Sequence, residues 1–275
     1  MFLVDDASAV GIALELFEHR NMVARLRRRL WNLLKHGHLQ IVLIGPGGTG
    51  KSTLGTLLSG QDLNAAGRGK YRQSIFVEQF RLQGDLFCTI IVPPGQERRT
   101  EREWPAIFRG LAQNKYSLFI NVVSWGYHAL PELSYTETAL YQPGMTVESF
   151  IADYTDNRRQ RELAILTEMV PHLKNAPGKL KMLTVTTKQD LWWAERKRVE
   201  DYYEHGPYNA SIQEVILHRG QERFMHECVS ASLLMANMIS AKGEALALTT
   251  AGYDEPYKNA NLNNLVDTII RFVTE

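Results

Sequence analysis

From about residue 7 to residue 35 the apolar positions recur at helical spacing, with Val23, Leu26, Leu30 and Leu33 or Leu34 on one stripe. One or two opening helices are expected there, ended by Gly37. Arg25, Arg27, Arg28 and Arg29 cluster around that stripe. A charge run of this kind is most often a solvated face, although it also suits a phosphate-rich surface. The pattern then changes: Leu39-Gln40-Ile41-Val42-Leu43-Ile44 is nearly unbroken apolar and bounded by glycines, as expected of a parallel strand covered on both faces. Further strand-like runs fall at 75–82, 86–92, 118–123, 180–186 and 224–229. Helical patterns fall at 52–58, 101–111, 147–173, 192–203 and 262–272.

Strand and helix alternate, so the fold class is α/β: a three-layer sandwich with a mainly parallel six-stranded sheet, its ligand at the carboxyl ends of the strands. Two stretches interrupt the alternation, 125–145, rich in Tyr, Pro and Gly, and 242–261, which reads as an extra loop or hairpin. Both are expected to be insertions in one domain over 39–275, preceded by the helical extension at 1–38. No repeat period or low-complexity tract is visible.

Composition narrows the function classes more than it names one. With 31 basic and 30 acidic residues the net charge is +1, so there is no general pull towards nucleic acid or an anionic membrane. Mean hydropathy is −0.25 and no apolar run approaches the length of a membrane span. Two cysteines, Cys88 and Cys228, are too few for a disulfide scaffold and lie on expected core strands. A cytoplasmic location is expected, with no secretory leader and no lipidation signal at either end.

The candidate chemistry sits between the first strand and the helix after it. Gly45-Pro46-Gly47-Gly48-Thr49-Gly50-Lys51-Ser52 fits G-x-x-x-x-G-K-[ST] in that context. Glycines allow consecutive backbone N–H groups to curl around a phosphate, and the helix start adds positive potential. Lys51 would neutralise β/γ oxygens, Ser52 would reach Mg²⁺, and Thr53 follows on the first turn. The loop by itself says nucleotide, not which one.

Thr187-Lys188-Gln189-Asp190, at the end of the 180–186 strand, matches [NT]-K-x-D, and with it the chain resembles the Ras-like and Arf-like small GTPases. The resemblance covers about residue 39 to the end and implies a P-loop G domain binding GTP or GDP with Mg²⁺. It implies that Asp190 accepts from guanine N1 and N2, and that Lys188 lies along the ring. Pro94-Gly95-Gln96-Glu97 is similar to the second switch, where Gly95 would sense the γ-phosphate and Gln96 would orient the attacking water. Ser230-Ala231-Ser232 is similar to the second base loop, and Ser74 is the best-placed hydroxyl of a first switch, as a Mg²⁺ ligand.

The chain also departs from the family. Val92 stands where D-x-x-G carries its Mg²⁺-site Asp, and Pro93 and Pro94 stiffen a segment that moves in the family. Weaker Mg²⁺ dependence or slow turnover is expected. Arg68 and Arg72, or Arg98, Arg99 and Arg102, are read as a polar, partner-facing surface before any role in transition-state stabilisation. His36 and His38 lack the company of a metal site, and Trp192-Trp193 reads as packing. The leading function is a GTP-hydrolysing switch that addresses a protein effector or regulator. The rivals are a GTP/GDP-holding scaffold with negligible turnover and an ATP-dependent P-loop kinase. The basic N-terminal helix leaves a membrane, a partner or the chain's own G domain open as its contact.

Overall fold

The computed structural model describes residues 39–59, 78–81, 88–92, 97–130 and 134–275. The N-terminal extension lies outside them. In chain order the elements are β1 (Leu39–Ile44), α1 (Lys51–Leu58), β2 (Glu78–Arg81), β3 (Cys88–Val92), α2 (Glu97–Ala112), β4 (Leu118–Val123), α3 (Val147–Asn175) and β5 (Leu180–Thr186). Then come α4 (Gln189–Trp192), α5 (Arg196–Glu200), a wide π-type turn (Asp201–His205), α6 (Pro207–Arg219), β6 (Phe224–Ser230), β7 (Met238–Ile239), β8 (Ala245–Ala247) and α7 (Glu255–Thr274).

Six strands form one sheet in the order β2-β3-β1-β4-β5-β6, parallel throughout except for β2, which runs antiparallel to β3. The unbroken apolar sequence of β1 is explained by its place. It pairs with β3 through Ile41 and Ile90 and with β4 through Leu43 and Ile120, so both its edges and both its faces are covered. Alternate residues point to opposite faces of a strand. Ile41 and Leu43 accordingly join Ile120 and Val122 in a core under α1 and α7, with Leu54, Leu265 and Phe272. Val42 and Ile44 join Phe119 and Met182 in a second core under α2, α3 and α6, with Leu111, Leu166 and Ile212. Three layers result.

The two faces differ in polarity. The α1/α7 side is apolar, whereas the α6 side buries a hydrogen-bonded string across three strands. Asn121 Nδ2 donates to Tyr208 Oη (2.6 Å), which lies 3.1 Å from Thr184 Oγ1, itself 2.9 Å from His226 Nε2. Burial pulls the His226 imidazole down to about 4, so it is neutral near pH 7.

Helix ends follow local chemistry. Thr146 Oγ1 accepts from Ser149 N–H at the start of α3, and Asp254 Oδ1 accepts from Tyr257 N–H at the start of α7. The last turn of α3 is closed from elsewhere: the Arg219 guanidinium donates to the carbonyls of Leu173, Lys174, Ala176 and Gly178. Three expectations change. The 192–203 helix is broken into α4, a 3₁₀ turn at Trp193–Glu195, α5 and the π-type turn. α6 is a helix the spacing did not announce. α7 begins at Glu255, so residues 255–261 belong to that helix, and the hairpin β7–β8 starts at Met238, ahead of the 242–261 stretch, with only β8 inside it.

The stretches 125–145 and 238–250 meet in space. Leu130, Phe150 and Tyr154 pack with Leu191, Met238 and Leu246 in a third cluster. Ser134 Oγ donates to Glu244 (3.1 Å), and Lys242 Nζ donates to Glu137 (3.0 Å).

Candidate functional site

In a sheet of this order the chain builds one side from β1 and the other from β4, and the crevice beyond their carboxyl ends is where ligands sit in open α/β sheets. The loop after β1 is the phosphate loop. Gly45, Gly48 and Gly50 all have positive φ, at 129°, 79° and 94°, a backbone that L side chains rarely adopt. Space also forbids a side chain at two of them: a Cβ on Gly45 would lie 2.1 Å from Val122 O, and one on Gly48 would lie 2.6 Å from Ala129 N. Gly50 hands the chain to α1, where Leu54 N–H reaches Gly50 O at 2.9 Å. Thr49 is buried and its hydroxyl donates to Pro46 O at 3.1 Å. Lys51 folds back over the loop, Nζ donating to Gly45 O (2.9 Å) and Pro46 O (2.6 Å). Ser52 and Thr53 follow on the first turn of α1, half-buried.

The loop after β5 carries the base motif, and the structure brings it against the phosphate loop. Thr187 is buried, and its hydroxyl donates to Thr49 O at 2.6 Å and to Val123 O at 3.1 Å. Lys188 has a left-handed backbone at φ 56°, sparsely populated for a residue with a side chain. Its Nζ donates to Tyr127 O, and burial lowers its amine to about 8 against the opposing pull of Asp190 and Glu162. Asp190 is 1% exposed. Its Oδ1 accepts from Ser232 Oγ at 2.5 Å, its Oδ2 from Ala236 N–H at 3.1 Å, and its own N–H donates to Ser232 Oγ at 2.7 Å. Burial raises the Asp190 carboxyl while these donors pull it back. Each carboxylate oxygen retains a lone pair beyond those contacts.

Within Ser230-Ala231-Ser232, Ser232 hydrogen-bonds Asp190 of the base motif through its hydroxyl. Ser230 ends β6 opposite Thr186, and Ala231 is buried in the α1/α7 core with its N–H donated to Thr186 O. β6 thus runs one residue further than its apolar run suggests. Gly95, Gln96 and Ser74, with Arg68 and Arg72, lie outside the described residues. Trp192 packs in the core and donates Nε1–H to Thr187 O at 2.8 Å, whereas Trp193 is half-buried against Tyr253 and Tyr257. Cys228 is half-buried, its thiol pushed up to about 12 by burial.

A third loop, 124–130 after β4, was not foreseen as part of the site. Ala129 N–H donates to Gly48 O at 3.0 Å, and Tyr127 O receives the Lys188 amine, so this loop touches both motifs. Its conformation is held from behind by Glu162 of α3, wholly buried, which meets the loop's own His128 at 2.8 Å. A charged residue in the middle of a long helix gives no sign of such a role. The signal that was available is Trp125-Gly126 directly after a strand, since a turn glycine there marks a tight approach.

Strand order and the glycine loop between β1 and α1 together define an α/β fold of the P-loop type, with the loop at the carboxyl ends of the parallel strands. No family model matches the chain, and no curated protein matches it in sequence. Among solved structures it is similar to Toc33 from Arabidopsis thaliana in complex with Mg²⁺ and GMPPNP, at 14% identity and TM-score 0.46, covering 94% of this chain and 95% of that one. It is also similar to the ADP-ribosylation factor-like GTP-binding protein SAR1, a small COPII coat GTPase from Encephalitozoon cuniculi, in complex with GDP: 10% identity, TM-score 0.47, 98% of this chain and 96% of that one. A third is the S. thermophilus NFeoB bound to GDP.AlF4⁻, at 13% identity and TM-score 0.39, covering 82% of this chain and 64% of the other. What this chain binds has to follow from its own residues.

Among the described residues no group of His, Cys, Asp and Glu is arranged to hold a metal ion, and no helix is long and apolar enough to cross a membrane.

Proposed function

We propose that the protein binds a guanine nucleotide with Mg²⁺, hydrolyses GTP to GDP and phosphate, and acts as a molecular switch. The observation that carries this reading is the 2.6 Å hydrogen bond from Thr187 Oγ1 to Thr49 O, which ties the candidate base motif directly to the candidate phosphate loop. Backbone N–H groups of Gly48 to Ser52 cradle the phosphates, and Lys51 turns from Gly45 O and Pro46 O onto the β/γ oxygens. Asp190 accepts from guanine N1–H and N2–H with the lone pairs that Ser232 and Ala236 leave over. Adenine would offer that carboxylate an acceptor and be rejected.

Ser52 fits a Mg²⁺ ligand by its place on the first turn of α1, and Mg²⁺ habitually keeps water and phosphate oxygens as its other ligands. Bound Mg²⁺ would neutralise charge on the phosphates. Ser74 is assigned as its second protein ligand, Gln96 as the residue that orients water, and Gly95 as the γ-phosphate sensor. With Val92 in place of a carboxylate, turnover is slow or driven by a protein regulator that meets the switch segments. The basic segment around Arg25–Arg29 is assigned to contact with a membrane, a partner or the chain's own G domain.

Fluorescent GTP, GDP and ATP analogues are titrated with and without Mg²⁺ while phosphate release is followed. Guanine-selective binding lost in Asp190→Ala, with release lost in Gln96→Leu, is the expected result. ATP preference, or tight binding with no release under any condition, overturns the nucleotide or the hydrolysis part respectively.

A further inference from the structure

We propose that Glu162 is the positioning residue of the nucleotide site, acting through the loop at 124–130; this rests on the nucleotide-binding reading above. Glu162 lies midway along α3 and is wholly buried. Its Oε1 accepts from Ser124 N–H (2.9 Å), Gly126 N–H (3.2 Å) and His128 Nε2 (2.8 Å), and its Oε2 accepts from Tyr203 Oη–H (2.6 Å). Burial holds His128 neutral against the pull of Glu162, so the tautomer facing the carboxylate is the one with its proton on Nε2.

The loop's backbone is shaped for this grip. Trp125 and Gly126 are consecutive left-handed residues, φ 54° and 80°, and the turn they make brings Ser124 N–H and Gly126 N–H onto the same carboxylate oxygen. A Cβ on Gly126 would lie 2.0 Å from Thr155 O, so α3 presses against the loop there, and Tyr154 Oη–H donates to His128 O from the next position. Trp125 is fixed beneath the Arg159 guanidinium at 4.3 Å.

The outward edge of the same loop makes the two contacts to the nucleotide motifs, Ala129 N–H to Gly48 O and Tyr127 O to Lys188 Nζ. Glu162 hydrogen-bonds neither motif directly. Burying a carboxylate is a poor way to gain stability, because its desolvation offsets most of what its partners return. What four convergent donors do gain is one loop geometry, and that geometry sets where the phosphate loop and the base lysine stand. Tyr203 reaches the cluster from the π-type turn Asp201–His205, a local widening of the kind often found where a helix serves a site.

The test compares Glu162→Gln, Glu162→Ala and Tyr203→Phe with the wild-type chain. Gln keeps an acceptor for the three inward donors and offers its amide to Tyr203 oxygen. Without nucleotide, amide hydrogen exchange at Ala129 is expected to accelerate about tenfold or more in Glu162→Ala, less in Tyr203→Phe and little in Glu162→Gln, while Val185 in β5 stays protected. With nucleotide, the affinity of the folded protein for GTP and GDP analogues is expected to fall in the same order, about tenfold or more for Glu162→Ala. Arg219→Ala, which destabilises α3 at its far end, is expected to leave affinity unchanged and serves as the control. Unchanged Ala129 exchange in Glu162→Ala overturns the proposal, as does an affinity loss that Arg219→Ala reproduces. If Glu162→Ala does not fold, the Tyr203→Phe exchange rate decides. A wild-type chain that binds no guanine nucleotide refutes the functional reading alone, and the exchange measurement still judges the loop.

Discussion

Thr187→Val removes one hydroxyl and almost no volume, which makes it a clean probe of the tie between the two motifs. The Thr187 proton is shared by Thr49 O at 2.6 Å and Val123 O at 3.1 Å. Val123 O also receives Thr187 N–H at 2.8 Å, so the substitution deprives Thr49 O most. Thr49 and Thr187 are both buried, and a buried acceptor stripped of a donor costs about 1–3 kcal/mol. Allowing for some relaxation of the loop, a loss of about 1–2 kcal/mol is expected. For a folded unit of this size that corresponds to a drop in Tm of about 2–8 °C. The hydroxyl points at a backbone carbonyl of the phosphate loop and not at a base. Affinities for GTP, GDP and ATP analogues should therefore weaken together, by about thirtyfold at most since about 1.4 kcal/mol is a factor of ten, and the guanine-to-adenine ratio should hold. Urea unfolding without nucleotide gives the first number, and parallel fluorescence titrations give the second. A change in the guanine-to-adenine ratio comparable with that of Asp190→Ala would refute the assignment of Thr187 to the loop, as would unchanged stability.

Arg219→Ala should cost about 2 kcal/mol in urea unfolding, because carbonyls at the end of α3 lose a charged donor and the helix end loses a favourable cation; Arg219→Lys should recover part of it. Gly126→Ala should cost more than about 3 kcal/mol or abolish folding, given both the left-handed backbone and the 2.0 Å approach to Thr155 O, as read from soluble expression and thermal unfolding. Lys188 is lowered from 10.5 to about 8, so between those values the unfolded chain binds the extra proton and stability contributed at this residue rises with pH; the stability difference between wild type and Lys188→Met should grow from pH 8 to pH 10 in urea midpoints. His226 is lowered from 6.5 to about 4, so stability should fall as pH drops through that window, and His226→Gln should flatten the slope.

The parts of the fold that were legible in the sequence are those where one physical demand dominates. The strands at 118–123 and 180–186 read correctly because burial on both faces requires continuous apolar runs. The phosphate loop was legible because its glycines answer to backbone geometry and close approach, which no other residue type satisfies. α6 was not, because Tyr208, Ile212 and Val215 face the core from a helix whose remaining positions mix polar and apolar residues without a clear stripe. Asn121, Thr184 and His226 sit at inward strand positions where alternation predicts apolar residues, and only their mutual partner Tyr208 accounts for them. Of the candidate site, the two motifs were readable, but their joining through Thr187, the hydrogen bond between Ser232 and Asp190 and the hold of Glu162 on 124–130 depend on contacts between residues tens of positions apart.

The meeting of the 125–145 and 238–250 stretches has a consequence for how this chain can change over generations. Each presents its apolar side to the other, and the salt bridge between Lys242 and Glu137 spans their polar rim. Deleting either one would leave Met238 and Leu246, or Leu130 and Phe150, facing water beside the base motif. The two are expected to be gained, lost and resized as a pair, so that a homologue lacking the hairpin should also carry a shortened connection after β4.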